Sequence, residues 1–187
     1  MNSDISLVKI SYMVVINLFG GPGCGKSTIA AGLFYKLKCV GKVDCELVTE
    51  VAKDIIWNGN SELLKNQSYV LGNQYHRIWR LIGKVDVIIC DSPFLLCPIY
   101  DNMKSTGLLL NALDKHRELN NIDIFITRPN IGFEDNGRNY NYNESLKKDK
   151  SIKHMLNKYE IPHFSIRAKD SEKTVEKILN ILRKYLF

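Results

Sequence analysis

The chain has 187 residues, 45% of them hydrophobic and 25% charged, enough to bury a core without disulfides or a structural metal and too ordered a balance for wholesale disorder. Its five cysteines, an odd number with no C-x-x-C pair, speak against a disulfide framework or zinc site and for a reducing, cytoplasmic compartment. The net charge of +6 admits a nucleic-acid partner, but a site handling several phosphates together with solvated lysines accounts for it equally well.

Residues 1–11 are polar and irregular and read as an N-terminal extension. Tyr12 to Phe19 is a short continuous apolar run stopped by glycine, the pattern of a buried strand. It is far too short to span a bilayer and lacks the basic start and cleavage site of a signal peptide, so no membrane partner is expected. From Lys26, the residues Ile29, Leu33 and Leu37 recur at helical spacing until Gly41. Cys45 to Thr49 reads as a second strand, with a helix from about Val51 and a break at Trp57 to Asn60. Asn60 or Ser61 is expected to cap the next helix, which carries Val70, Leu71, Gln74, Ile78, Leu81 and Ile82 on one side and closes at Gly83.

Val85 to Cys90 reads as a third buried strand ending in Asp91, and Ile122 to Thr127 as a fourth. Pro93 to Leu119 between them reads as mostly helical, with Leu108, Ala112 and Leu113 as its core face. Residues 128–143 lose all periodicity, and a long connection of this kind is expected to act as a lid. Asn143 or Ser145 is expected to start a helix running to Tyr159. A fifth strand follows at His163 to Ile166, then a helix capped by Asp170 or Ser171 with Val175, Ile178, Leu179, Leu182 and Leu186 on its apolar side. The lysines of these last helices, Lys147 and Lys148 among them, read as a solvated face. Strands alternating with helices predict an α/β fold, a parallel sheet covered on both faces within one domain over 1–187.

The chemistry lies in Gly20-Gly21-Pro22-Gly23-Cys24-Gly25-Lys26-Ser27-Thr28, a complete G-x-x-x-x-G-K-S phosphate loop between an apolar strand and an amphipathic helix. Its glycines let backbone N–H groups curl around phosphates, and the helix N-terminus adds partial positive charge. This spacing predicts ATP bound by residues 20–28, with Lys26 on the β- and γ-phosphates, Ser27 on magnesium and Thr28 near the α-phosphate. Cys24 is either a low-pKa thiol or a small side chain tolerated in the loop.

Asp91, at the C-terminal end of a buried strand, lies where open α/β sheets bind ligands; it either serves the magnesium shell or an acceptor hydroxyl, or caps the segment from Ser92. Arg128, after the fourth strand, and Arg138, in the irregular stretch, are candidates to neutralise the transferred phosphoryl group, or else ordinary surface residues. Glu50, Gln74 and Arg77 are the candidate acceptor-binding residues, the last two equally readable as ordinary helix positions. Tyr69, Tyr75, His76 and Trp79 offer base stacking or plain packing.

Together with Thr49-Glu50-Val51-Ala52-Lys53-Asp54, Gln74 and Asp91-Ser92-Pro93, the loop resembles the P-loop kinases of the nucleoside/nucleotide kinase fold. Within them it is most similar to phage and bacterial AAA-type kinase-like ATP-binding proteins and ribosylnicotinamide kinase relatives, over residues 13–166. The resemblance implies a three-layer α/β/α sandwich with five parallel strands in the order 2-3-1-4-5 and a lid, here 128–150, before the last strand. It also implies phosphate, magnesium and catalytic roles for Lys26, Ser27 and Asp91, with Glu50 at the acceptor site. Asp91-Ser92 lacks the arginine that many nucleotide kinases carry after this acid, and no sensor arginine of a ring-forming motor is found.

The leading expectation is ATP- and magnesium-dependent transfer of a γ-phosphoryl group to a nucleoside, nucleotide or related ribosyl acceptor. Two alternatives stand beside it. One is a kinase acting on a 5′ hydroxyl or hydroxylated base of nucleic acid. The other is a nucleotide-dependent switch; the missing Asn-Lys-x-Asp motif disfavours GTP for it. The sequence leaves the oligomeric state open, a homodimer included.

Overall fold

The computed structural model describes residues 13–128, 140–168 and 170–186. The N-terminal extension, Tyr12 and residues 129–139 of the expected lid, Arg138 among them, lie outside the described residues, and residues 142–150 of that lid belong to a helix. Five parallel strands form one sheet: β1 (Val14–Phe19), β2 (Cys45–Val48), β3 (Val87–Cys90), β4 (Asn121–Thr127) and β5 (His163–Arg167), in the order β2-β3-β1-β4-β5. The register is uninterrupted, Val14 opposite Val87 on one side of β1 and Phe19 opposite Phe125 on the other. The expected sheet order is thus the observed one.

Every residue of β1 is buried, because successive side chains point to opposite faces and both faces are covered. Val14, Ile16 and Leu18 join Ile29, Leu33 and Leu37 of α1 (Lys26–Val40) and Val175, Ile178 and Leu182 of α7 (Ser171–Leu186). Val15 and Phe19 face the opposite layer. It is built from α2 (Val51–Trp57), α3 (Gln67–Trp79), α4 (Cys97–Tyr100), α5 (Thr106–Arg117) and α6 (Tyr142–Lys158).

Local chemistry sets the element ends. Gly41 takes the left-handed conformation, φ 65°, and returns its N–H to Leu37 to close α1. Four of the expected element limits move. Residues 61–65 form a separate 3₁₀ turn, so Asn66, and neither Asn60 nor Ser61, caps α3 by accepting from the Tyr69 N–H. The helix stops at Trp79, leaving Leu81 and Ile82 beyond it, with Ile82 exposed. The Pro93–Leu119 stretch is broken at 101–105 between α4 and α5. Helix α6 starts two residues before the expected cap, because Asn141 and Glu144 form a reciprocal capping box.

One polar network crosses this apolar frame. Asn17 in β1 donates to Asn121 and to Asp123 Oδ1, each at 2.8 Å, and Asp123 Oδ2 lies 3.0 Å from His116 Nε2 of α5. Asn17, Asp123 and His116 are all buried, so each needs the others. Removing the carboxylate with Asp123→Ala leaves the Asn17 amide and the His116 ring short of a partner. The expected cost is about 3 kcal/mol, read as a shifted urea midpoint at unchanged slope. A shift equivalent to less than about 0.5 kcal/mol would contradict the network's role.

Candidate active site

The loop between β1 and α1 wraps the C-terminal edge of the sheet. Gly20 (φ 145°) cannot be replaced without strain, and a Cβ there would sit 2.5 Å from Cys24 Sγ. At Gly21 the obstacle is close approach: a Cβ would lie 2.7 Å from the Ser145 carbonyl and 2.8 Å from Asp149 Oδ1. Helix α6 therefore presses directly on the loop. Asp149 Oδ1 accepts from the Gly21 N–H at 2.5 Å, and the Ser145 hydroxyl donates to the Pro22 carbonyl. Ser145 was singled out only as a helix start and Asp149 not at all; polar side chains at i, i+4 on an otherwise buried face were the available signal.

Lys26 is buried, and its Nζ donates to the carbonyls of Gly20 at 2.8 Å and Gly21 at 3.1 Å. Burial works against its charge, but Cys24, Glu50, Asp91 and Asp149 more than offset this, so its pKa moves up. Ser27 and Thr28 are exposed at the cleft, and Ser27 Oγ donates to Asp91 Oδ2 at 2.7 Å. Asp91 is buried behind Ser27 and its Oδ1 has no hydrogen-bond partner among the described residues. A hydroxyl beside a carboxylate with spare acceptor capacity is a hard-oxygen donor set that fits magnesium.

A cleft of about 330 Å³ is lined by Gly23, Lys26, Ser27 and Thr28 and by an apolar, aromatic wall of Ile56, Trp57, Leu64, Val70, Leu96, Cys97 and Tyr100, Trp57 being exposed at its opening. Glu50 lines it, as do Lys53, Gln67, Gln74 and Tyr140. Glu50 is close enough to Lys26, Tyr100 and Cys97 for its charge to influence all three. The sequence passed over Trp57, Tyr100 and Tyr140; only the fold brings these rings to one opening.

Gln74, on the cleft lining, and Arg77, outside it, both hold the turn before Glu50. The Gln74 amide accepts from the Val51 N–H at 2.9 Å and donates to the Thr49 carbonyl at 3.1 Å. Arg77 donates to the Thr49 carbonyl and hydroxyl, pairs with Asp54, and is not among the cleft-lining residues. Both clamp the Thr49–Val51 turn that presents Glu50. Tyr69, His76 and Trp79 are likewise outside the lining, His76 stacking on Trp79, while Tyr75 packs edge-on against Phe94.

Arg128 is also committed. Its Nε and Nη2 meet Asp149 Oδ2 at 3.1 and 3.0 Å, and Nη2 donates to Ser145 Oγ at 2.6 Å. In this arrangement it braces α6 against the loop. Lys148 is not solvated as expected: it is half-buried, with Nζ on the Ile99 carbonyl at 2.8 Å and on Asn102 Oδ1 at 3.1 Å.

Cys24 is fully enclosed, and burial, only partly countered by Lys26, pushes its thiol pKa up, which removes the low-pKa option. Burial raises Cys45 and Cys90 as well, and Cys97 to about 12. All five cysteines are free thiols and Cys39 alone is exposed. Because a raised pKa keeps a group as thiol below that pKa, iodoacetamide at pH 8 is expected to modify Cys39 alone in the native protein. Mass spectrometry should count one adduct native and five in urea; rapid native labelling of Cys24 would contradict this geometry.

The family model described as an AAA domain matches residues 15–173. No curated protein matches the chain. Among solved structures, deoxyadenosine kinase from M. mycoides with bound dCTP superposes with a TM-score of 0.58 at 20% identity, covering 91% of this chain and 99% of that one. NadR in complex with NR gives a TM-score of 0.68 at 12% identity, over 94% of this chain and 51% of its own. Shikimate kinase from Bacteroides thetaiotaomicron gives 0.54 at 16% identity, over 91% and 99%. At these identities the likeness establishes the fold, which is that of P-loop kinases.

Proposed function

The chain belongs to the AAA-domain family, and we propose that it is an ATP-dependent phosphotransferase that moves the γ-phosphoryl group to a hydroxyl of an unphosphorylated, nucleoside-type acceptor. The observation that carries this is one cleft lined both by Lys26, Ser27 and Thr28 and by Glu50 and an apolar, aromatic wall. A switch has no need of such a second pocket. Phosphoryl transfer demands little covalent chemistry, so positioning and charge stabilisation supply most of the rate.

In this reading Lys26 and the loop N–H groups hold the β- and γ-phosphates. Ser27 and Asp91 would hold magnesium, which when bound neutralises phosphate charge. Asp91 lies behind Ser27 and outside the cleft lining, which favours this role over proton transfer. Glu50 then takes the proton of the attacking hydroxyl, and the apolar wall seats the acceptor ring. The chain acts as one kinase-like domain, with Arg138 supplying charge to the transferred phosphoryl group. Five free thiols suit a cytoplasmic setting.

The choice of an unphosphorylated acceptor rests on charge. Among the described residues no arginine lines the cleft, Arg77 and Arg128 being engaged elsewhere, and Glu50 would repel a phosphate on the acceptor. Labelled ATP offered to matched pairs of nucleosides and their 5′-monophosphates tests this. Label should enter the nucleoside; label entering only the monophosphate would overturn the reading.

One observation favours a nucleic-acid acceptor as a second reading. Lys147, Lys150, His154 and Lys158 recur at three- and four-residue spacing on the exposed side of α6, with no acid among them. It predicts oligonucleotide binding that weakens steeply with salt, and absence of such binding would remove it.

A further inference from the structure

Helix α6 grips the phosphate loop through Ser145 and Asp149, and one residue away it grips something else. The ammonium of Lys148 sits 5.2 Å from the Tyr100 ring centre and 5.7 Å from that of Tyr140, two rings that line the cleft and lie 5.8 Å apart. Its hydrogen bonds go to Ile99, which precedes Tyr100 in α4, and to Asn102, just after that helix. Its partners are carbonyl and amide oxygens and π faces; no carboxylate pairs with it among the described residues. A half-buried ammonium so placed is costly by comparison with an apolar side chain of similar length, and burial lowers its pKa.

A second feature marks the same spot. Asn102 (φ 53°) and Met103 (φ 57°) are consecutive left-handed residues without being glycine, a strained pair that surrounding contacts must hold. Lys148 holds the first through its side chain, and the Met103 N–H is held by the Pro98 carbonyl at 2.8 Å. The strained turn ends the segment that carries Leu96, Cys97 and Tyr100 into the cleft.

Taking the phosphotransferase reading as its basis, we propose that Lys148 is a positioning residue for the acceptor: by fixing the Tyr100–Tyr140 pair and the Asn102 turn, it shapes the acceptor wall. Adjacent side chains of α6 then divide the labour, Lys148 setting the acceptor end of the cleft and Asp149 the ATP end.

The test is steady-state kinetics on Lys148→Met, Lys148→Arg and Asp149→Asn, with ATP and the best nucleoside of the panel, alongside thermal melting. Lys148→Met should raise the acceptor KM about tenfold, with kcat and ATP KM within about twofold and only a small fall in Tm. Lys148→Arg, able to make the same cation–π and carbonyl contacts, should recover most of the acceptor affinity. Asp149→Asn should instead raise the ATP KM. An active Lys148→Met variant with a wild-type acceptor KM, or one whose only change is a lower Tm, would overturn the positioning role. If the wild-type protein transfers phosphate to no nucleoside, the nucleoside-acceptor reading is what fails, and the role of Lys148 falls with it.

Discussion

Replacing Lys26 by methionine is expected to lower kcat/KM about a thousandfold while leaving the protein folded. Its ammonium is enclosed by the loop, bonded to the Gly20 and Gly21 carbonyls, and 9% exposed. A phosphate entering the cleft meets this charge where water is scarce, and there a point charge counts for most. Methionine keeps the stem and its packing but takes the charge away. The shift of the Lys26 pKa above its ordinary 10.5 has a definite sign. The lysine is protonated across the neutral range, and activity that depends on it is lost only as pH rises through the raised value. A rate profile should therefore show no limb from Lys26 between about pH 6 and 9. Circular dichroism and melting separate loss of charge from loss of fold. A variant retaining a tenth of wild-type activity would remove Lys26 from the mechanism.

Glu50→Gln should lower kcat by about a thousandfold with the acceptor KM changed only a few-fold. The carboxylate lines the cleft that Lys26 and the apolar wall share, close enough to Lys26 for its charge to act on it, and in this reading it faces the attacking hydroxyl. Glutamine preserves size and hydrogen bonding but cannot take the proton. Asp91→Asn supplies the contrast. Because Asp91 sits behind Ser27 with one oxygen unpartnered, its loss should show as an increased magnesium requirement, partly relieved by raising the ion concentration. If the two variants exchange behaviours, with Glu50→Gln rescued by magnesium and Asp91→Asn not, the roles assigned to the two acids are reversed.

The loop and the sheet were legible because each rests on short-range pattern. A buried strand, glycines at fixed spacing and an amphipathic helix specify the loop without reference to the rest of the chain. The five strands and Asp91 follow from continuous apolar runs stopped by polar residues, and the strand order from the resemblance. Glu50 was found because it ends a strand on the ligand-binding edge. What local pattern left open depended on partners distant in sequence. Gln74 and Arg77 read equally as acceptor ligands or ordinary helix positions, and the fold ties both to Thr49, more than twenty positions earlier, with Gln74 still lining the cleft. Arg128 reads as a free cation until α6 brings Asp149 to it.

Lys148 was read as solvated because its neighbours in sequence are lysines, while the residues that bury it are Ile99, Tyr100 and Asn102. The acceptor wall failed for a related reason. Trp57, Leu64, Tyr100 and Tyr140 come from four separate segments, and no local pattern announces that they share a cleft. Helix starts shifted where a side chain cap decides the boundary: Asn66 and Asn141 each accept a backbone N–H three residues on, and several polar residues nearby offered the same chemistry on paper.

The central claim is that the cleft joins a phosphoryl donor to an acceptor hydroxyl. Its most direct measurement is γ-labelled ATP with magnesium and a panel of nucleosides, nucleoside monophosphates and 5′-hydroxyl oligonucleotides, each run with wild type and Lys26→Met. Label in a nucleoside, absent with the variant, is the predicted result. Label released only as inorganic phosphate, whatever acceptor is present, would contradict it and identify a nucleotide-hydrolysing switch.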